Sequence, residues 1–384
     1  MHADIRSIGV YDRELDLFEN QYTTPEGISY NSYLIVDDKI ALVDTSDERT
    51  ADQWWANLQA ELPEGRGVDY LIIEHLEPDH SALIGKVMAT YPECRLICTG
   101  AAQRMLPQLT DAEAIADRID TVKDGDVVSL GHHDLEIITA PMVHWPEVMT
   151  LLDKSTGTLF SADAFGRFGN PDPDVAWDCE ARRYYFNIVG KYGAQVKSYF
   201  KKLAGHEVKA IAPLHGPVLE GDLTHYLNLY STWADYGVET PGVVVAHASI
   251  HGLTAAAAKR MAEILNEAGA PKVTTIDLTR ADIAEAVEDA FRMSHLVVMS
   301  ATYDGEIFPP MHDFVHHLML KGYRNRTVGI VENGLWAPAA GKKLAQMFEK
   351  MTNIEIADPM VTLRGRLTPE TEAKLKELAR NLLG

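Results

Sequence analysis

Apolar residues along the chain come in two rhythms. Through roughly the first 240 positions they form short runs closed by turn residues: YLIV and IALV on either side of Asp37-Asp38, YLII at 70–73, CRLICTG at 94–100, LEIITAPMVH at 135–144, GTLFSADAF at 157–165 and VKAIAPLHGP at 208–217. Such runs predict strands, and the pair around Asp37-Asp38 predicts a hairpin. Helical text lies between them, as in ERTADQWWANLQAEL at 48–62 and the amphipathic stretch around Ala181–Tyr185. Strands and helices mixed in that order predict two sheets, or one large mixed sheet, flanked by helices.

The rhythm changes after Gly237–Gly242. VVVAHAS at 243–249, VTTIDLT at 273–279, HLVVMSATY at 295–303 and TVGIVEN at 327–333 alternate with helical stretches such as LTAAAAKRMAEILNEAG at 253–269 and ADIAEAVEDAFR at 281–292. That alternation predicts a doubly wound parallel sheet of about 140 residues. Thr368 and Pro369 read as the N-cap and first residue of a final helix. The reading is an α/β protein of two domains, 1–240 and 241–384.

Composition narrows the function classes. The chain has 384 residues, with 46% hydrophobic and 24% charged, which suits a globular protein of two cores. Its 35 Lys+Arg against 56 Asp+Glu give a net charge of −21, which argues against nucleic acid or an anionic membrane surface as partner. No apolar run approaches the roughly 18 residues of a membrane span, and the opening MHADIRSIGVYDRELDLF has no signal-peptide core. The cysteines are Cys94, Cys98 and Cys179, an odd number without a CxxC, so neither a disulfide framework nor a four-cysteine metal site is expected. The expectation is the reducing cytoplasm.

The histidines carry the first chemistry. Directly after YLII the chain reads Glu74-His75-Leu76-Glu77-Pro78-Asp79-His80, in which two imidazoles and two carboxylates, His75, Glu77, Asp79 and His80, fall within six residues. His144, Asp163 and His215 recur just after other apolar runs. Any one of these alone reads as an ordinary core histidine or turn aspartate. Together, at strand ends, they converge on one sheet edge. Seven N and O donors with three carboxylates and no thiolate exceed one tetrahedral zinc and suit a pair of hard ions, iron or manganese, with one carboxylate bridging.

This half resembles the metallo-β-lactamase fold, with Glu77 where the hydrolytic members carry the second histidine of HxHxDH. His-x-Glu-x-Asp-His, with His144-Trp145-Pro146-Glu147, Ser161-Ala162-Asp163-Ala164-Phe165-Gly166 and His215-Gly216-Pro217, is the pattern of the flavodiiron proteins. The resemblance implies an αββα sandwich in which one iron takes His75, Glu77 and His144, the other takes Asp79, His80 and His215, and Asp163 bridges them. Tyr22, Tyr30, Tyr184 and Tyr185 are unranked candidates for proton donors behind the metals.

The second half offers an anion pocket and two loops. Ser249-Ile250-His251-Gly252-Leu253-Thr254 lies between a strand and a helix, with hydroxyls at both ends and a glycine beside the helix N-terminus, a setting for a terminal phosphate that His251 could also reach. Thr302-Tyr303-Asp304-Gly305 and Asn333-Gly334-Leu335-Trp336 each follow a strand and each bring an aromatic ring able to stack on a flat isoalloxazine. The domain is similar to flavodoxins, and TYDG with ENGLWAP is similar to the flavodoxin module of flavodiiron proteins. FMN is therefore the expected flavin, since no GxGxxG fingerprint for a dinucleotide is present.

The family resemblance implies an oxidoreductase that reduces dioxygen to water, nitric oxide to nitrous oxide, or both, at two irons supplied with electrons through FMN. No side chain is needed as a nucleophile. No cysteine follows Cys179, so a rubredoxin with its two CxxC pairs is not expected in this chain. An external donor is expected, by resemblance a rubredoxin, with a reduced deazaflavin as the alternative. The family also implies a head-to-tail homodimer, or a dimer of such dimers. Two competing readings are a zinc hydrolase of the metallo-β-lactamase fold fused to a flavodoxin, and a pure electron carrier with an inert first half.

Overall fold

Two six-stranded sheets face each other in the first half of the chain. One runs Ile5–Ser7, Tyr33–Ile35, Ala41–Val43, Tyr70–Ile72, Arg95–Thr99, Ile119–Val122; its last four strands are parallel. The other runs Val127–Ser129, Asp134–Thr139, Met149–Asp153, Thr158–Phe160, Ala210–Ala212, Leu219–Glu220, with one parallel pair, Thr158–Phe160 beside Ala210–Ala212. The predicted hairpin is present, Tyr33–Ile35 lying antiparallel to Ala41–Val43.

Side-chain alternation explains the layering. In the first sheet Tyr33, Ile35, Val43, Ile72 and Ile97 point to a core shared with Leu135, Ile137, Leu151 and Phe160 of the second. Their neighbours Leu34, Leu42, Leu71 and Leu96 point outward, against Trp54 and Leu58 of helix Ala51–Glu61 and Val87 and Met88 of helix Ile84–Thr90. Both faces are thus apolar, which is why these strands read as continuous runs. Helix Gly193–Leu203 covers the outside of the second sheet, Tyr199 reaching Thr150 at 3.2 Å. The result is the expected αββα sandwich. Cys94 and Cys98 lie in the outer core, where burial pushes both thiols up to about 12.

In the second half the strands run in the order Val273–Asp277, Thr240–Ala248, Met293–Tyr303, Arg326–Asn333, Ile354–Leu363, all parallel. Numbered by sequence this is 2-1-3-4-5, the flavodoxin-like order, whose cleft opens at the carboxyl ends of the strands. Helices Leu253–Glu267 and Pro369–Leu383 pack on one face through Ala257, Met261, Leu375 and Leu378. The last helix starts at Pro369 with a full capping box on Thr368.

The computed structural model describes residues 2–384, and the chain divides into two compact units, Met1–Ser231 and Thr232–Gly384. No helix among the described residues is long and apolar enough to cross a membrane.

One buried cation ties the start of the second unit to its sheet. The Arg326 guanidinium, 3% exposed, donates to the carbonyls of Met293 at 2.7 Å, Tyr236 at 2.8 Å and Gly237 at 2.9 Å, and also to that of Phe291. Arg326→Leu takes the donor from several buried carbonyls at once and is expected to destabilise this unit by about 3 kcal/mol, at roughly 1–3 kcal/mol for a stranded group. Urea midpoints followed by circular dichroism test this. Arg326→Lys should recover only part of the loss, since an ammonium cannot span the same fork.

Candidate functional site

The seven candidate ligands all sit on the connections that follow strands of the sandwich. His75 and Glu77 follow Tyr70–Ile72, and Asp79 and His80 lie in the single-turn helix Pro78–Ser81 that comes next. His144 follows Asp134–Thr139, Asp163 follows Thr158–Phe160 and His215 follows Ala210–Ala212. The turns are sharp: Met142 and Ala162 hold φ of 65° and 49° just before His144 and Asp163. A non-glycine residue in this region is strained, and such strain gathers at functional sites. Gly216 has φ +85°, and a Cβ there would lie 2.4 Å from Cγ of buried Arg167, so only glycine lets the chain turn directly after His215.

The structure brings all seven together as two groups that meet at Asp163. Oδ2 of Asp163 lies 3.2 Å from Nε2 of His75 and 3.2 Å from Nε2 of His144, and Oε2 of Glu77 lies 3.2 and 3.1 Å from the same two nitrogens. Oδ1 of Asp163 lies 3.3 Å from Nε2 of His80 and 3.5 Å from Nε2 of His215, and Oδ2 of Asp79 is 3.4 Å from each. One carboxylate therefore turns one oxygen to each group. Glu74, the residue before that six-residue stretch, belongs to neither group; burial raises its carboxyl and that of nearby Asp44, with repulsion from Asp44 adding to the first and from Asp163 to the second.

His75 Nε2 and Glu77 Oε2 meet as a hydrogen bond at 3.2 Å, but most of the other ligand atoms are close without being hydrogen-bonded. Both oxygens of Asp79 and of Asp163, both ring nitrogens of His80 and Nε2 of His144 are buried with no hydrogen-bond partner. Buried polar atoms in native proteins are almost always satisfied. Seven donors aimed inward at one another at 3.1–3.5 Å are a set that cations satisfy and protons do not. Burial lowers the His144 imidazole, but the Asp163 and Glu77 carboxylates outweigh it and set it at about 9. The pocket thus calls for positive charge, and its residues fit two metal ions.

An outer layer fixes the imidazoles. Nδ1 of His75 donates to Oε1 of Glu147 at 2.8 Å, and Nδ1 of His215 donates to the Ser29 carbonyl at 2.7 Å. Each bond selects the tautomer whose Nε2 lone pair faces the centre. Neither partner was assigned this role from sequence: Ser29 acts through its backbone, and Glu147 is 72 positions from His75. Of the four tyrosines, Tyr184 and Tyr30 have rings 5.5 and 5.9 Å from His215. Burial, reinforced by nearby carboxylates, keeps both phenols protonated. Tyr22 instead donates to the Asn187 carbonyl, and Tyr185 packs on Tyr230.

In the second unit a cavity of about 580 Å³ opens at the carboxyl ends of the strands. Ser249, Ile250, His251, Leu253, Thr254, Thr302, Tyr303, Asp304, Gly305, Asn333, Gly334, Leu335 and Trp336 all line it. Gly252 does not; its N–H is bonded to Ser249 Oγ at 3.1 Å. A fourth loop, missed from sequence, adds Gly365, which exchanges two hydrogen bonds with the Asn333 side chain. Tyr303 and Trp336 are 46% and 79% exposed, so neither ring is a core anchor. Two free aromatic walls and a loop at a helix start suit a flat ring carrying a phosphate.

The model of the "ODP family beta lactamase" matches residues 28–216. Among curated relatives, an anaerobic nitric oxide reductase flavorubredoxin of Citrobacter koseri is 28% identical over 385 residues, covering 96% of this chain and 78% of the relative. A putative diflavin flavoprotein A 1 of Thermosynechococcus vestitus is 33% identical over 298 residues, 74% of this chain and about half (51%) of the relative. Among solved structures, the rubredoxin oxygen:oxidoreductase of Desulfovibrio gigas superposes with a TM-score of 0.91 at 22% identity, covering 100% of this chain and 97% of that one. The flavodiiron protein of Giardia intestinalis gives 0.87 at 21%, covering 100% and 95%. These two structural likenesses establish the fold.

Proposed function

The chain belongs to the flavodiiron proteins, an oxidoreductase family, and from that premise we propose that it reduces dioxygen to water, nitric oxide to nitrous oxide, or both, in the cytoplasm. The observation that carries the reading is Asp163, whose two oxygens face two separate groups of His and carboxylate donors. We assign His75, Glu77 and His144 to one iron, Asp79, His80 and His215 to the other, and Asp163 to both. The same three carboxylates weigh against the zinc-hydrolase alternative, because a carboxylate-rich N/O set favours iron or manganese.

When bound, two irons and a reduced flavin supply up to four electrons, the number that full reduction of dioxygen takes; coupling two nitric oxide molecules takes two. The chain's own part is to hold and to orient. Glu147 and the Ser29 carbonyl hold His75 and His215 in the tautomer that faces inward. Tyr30 and Tyr184 keep their phenolic protons beside His215, and Tyr30 Oη accepts from Arg49 at 3.1 Å, which fixes that ring. In the second unit Ser249, Thr254 and the start of helix Leu253–Glu267 would hold the phosphate, with Tyr303 and Trp336 against the ring.

Electrons are assigned to an external donor, a rubredoxin or a reduced deazaflavin. The working form is assigned as a head-to-tail homodimer, or a pair of such dimers, each flavin serving its partner's metals. A monomer in sedimentation with full turnover would overturn that assembly.

Two measurements test the core of the reading. Metal analysis of protein as isolated, with heat release and chromatography of the flavin, is expected to give two irons and one FMN per chain. Zinc alone, with hydrolase turnover and no oxidase activity, would reject the flavodiiron function. Side-by-side consumption of oxygen and nitric oxide by chemically reduced, iron-loaded enzyme then sets the substrate.

A further inference from the structure

Away from the central cluster, His2, Asp4 and His133 place three ligand atoms within 4.8 Å of one another. Nδ1 of His2 lies 3.2 Å from Oδ2 of Asp4, and Nε2 of His133 lies 3.7 Å from the same oxygen. Ligands 2.0–2.1 Å from a tetrahedral ion stand about 3.4 Å apart, so these separations bracket the edge of such a site.

The buried member is built like a metal ligand. His133 is 3% exposed, and its Nδ1 donates at 2.8 Å to Asp153, which is wholly buried. Asp153 also accepts from the Ser155 and Thr156 hydroxyls, each at 2.6 Å. These bonds place a proton on Nδ1 and turn the Nε2 edge of the ring toward Asp4 and His2. A carboxylate behind a histidine, itself held by further donors, is the arrangement that orients imidazoles on metals.

The backbone is held as well. Asp37 accepts from the N–H of His132 at 2.7 Å and of His133 at 2.8 Å. Gly131 turns at φ +127°, where a Cβ would meet the Asp38 side chain at 2.8 Å. On the other side Ile5 N–H donates to the His2 carbonyl at 3.1 Å and Val36 N–H to that of Asp4 at 2.9 Å. The side chains of His2 and Asp4 are each 52% exposed and free to close the last few tenths of an ångström.

We propose that His2, Asp4 and His133 form a third metal site, for a divalent cation of the zinc class, with water in the fourth position. Two imidazoles and one carboxylate with an open position suit zinc and its neighbours, not calcium or magnesium. The site joins the lead-in to Ile5–Ser7, edge strand of the first sheet, to the turn before Asp134–Thr139 of the second. A bound ion there clips the edge of the first sheet to the second and carries no part of the redox chemistry.

The test uses iron-loaded, full-length protein without a histidine tag, dialysed against graded Zn²⁺, with zinc and iron per chain both measured. His2→Ala and Asp4→Asn change half-exposed side chains and leave the fold intact. Wild type is expected to take up one zinc per chain at micromolar concentration with its iron unchanged, and to melt at a higher temperature with zinc than without. Each variant should bind that zinc at least tenfold more weakly, lose the zinc-dependent rise in melting temperature, and keep wild-type oxygen or nitric oxide turnover. Equal zinc uptake by wild type and both variants, or uptake only at the expense of iron, would overturn the site and leave the cluster as a surface ion pair.

Discussion

Asp163→Ala is expected to lower turnover by about 100-fold or more and to leave fewer than two irons per chain. Changes to residues that only support a metal ligand typically cost 10–100-fold, and Asp163 is the one donor that faces both groups. Its removal also takes a wholly buried negative charge from a pocket in which four imidazoles converge. The alanine leaves a void and so mixes two effects. Asp163→Asn separates them, because the amide keeps the shape, loses the charge and offers only one oxygen to two groups. Iron content, turnover and melting temperature should be measured on both. Loss of iron and turnover in the asparagine variant with the melting temperature of the metal-free wild type is the expected result. An asparagine variant with two irons and full turnover would remove Asp163 from the centre, and with it the two-group reading of the site.

How much of this was legible depends on where each signal lay along the chain. The seven donors could be read because each stands at or just beyond the end of an apolar run, and a strand end is where a side chain meets others from distant sequence. The flavodoxin-like half was legible for a similar reason: three buried parallel strands, Thr240–Ala248, Met293–Tyr303 and Arg326–Asn333, leave long apolar runs, and the loops after them carried the cofactor-type residues. What stayed hidden was contact made only in space. Glu147 follows His144-Trp145-Pro146, yet its partner is His75 on another connection. Ser29 works through a carbonyl, which no residue type encodes. Gly365 reaches the cleft because Asn333 bonds it from 32 positions away. His2, Asp4 and His133 are ordinary polar residues in sequence, gathered only because two different sheets end there. The four tyrosines were equal candidates until packing placed two against His215 and sent two elsewhere.

Glu147→Gln is expected to weaken iron binding about tenfold, and Glu147→Ala closer to 100-fold, without touching any atom of the metal cluster. Glu147 is 2% exposed, and its Oε1 accepts from Nδ1 of His75 at 2.8 Å and from the Leu76 N–H at 3.0 Å. Burial pushes its carboxyl up, but the bond and charge of His75 with the backbone N–H donors together outweigh burial and hold it below the ordinary range, so it stands as an anion behind the imidazole. That anion draws the Nδ1 proton and makes Nε2 a stronger donor. Glutamine oriented to accept keeps both hydrogen bonds and the ring position but loses the charge, and its amide nitrogen falls where Oε2 now has no partner. Alanine strands the His75 and Leu76 donors as well, so the ring can turn or shift its proton to the nitrogen that should bind. Glu147 is thus a positioning residue, and the order glutamate, glutamine, alanine should appear in iron affinity and in the absorption bands of the iron-loaded centre. KM for the diatomic substrate should stay near the wild-type value while kcat falls with iron content. If both variants only lower the melting temperature, with iron affinity and spectrum unchanged, Glu147 packs the loop and does nothing for His75.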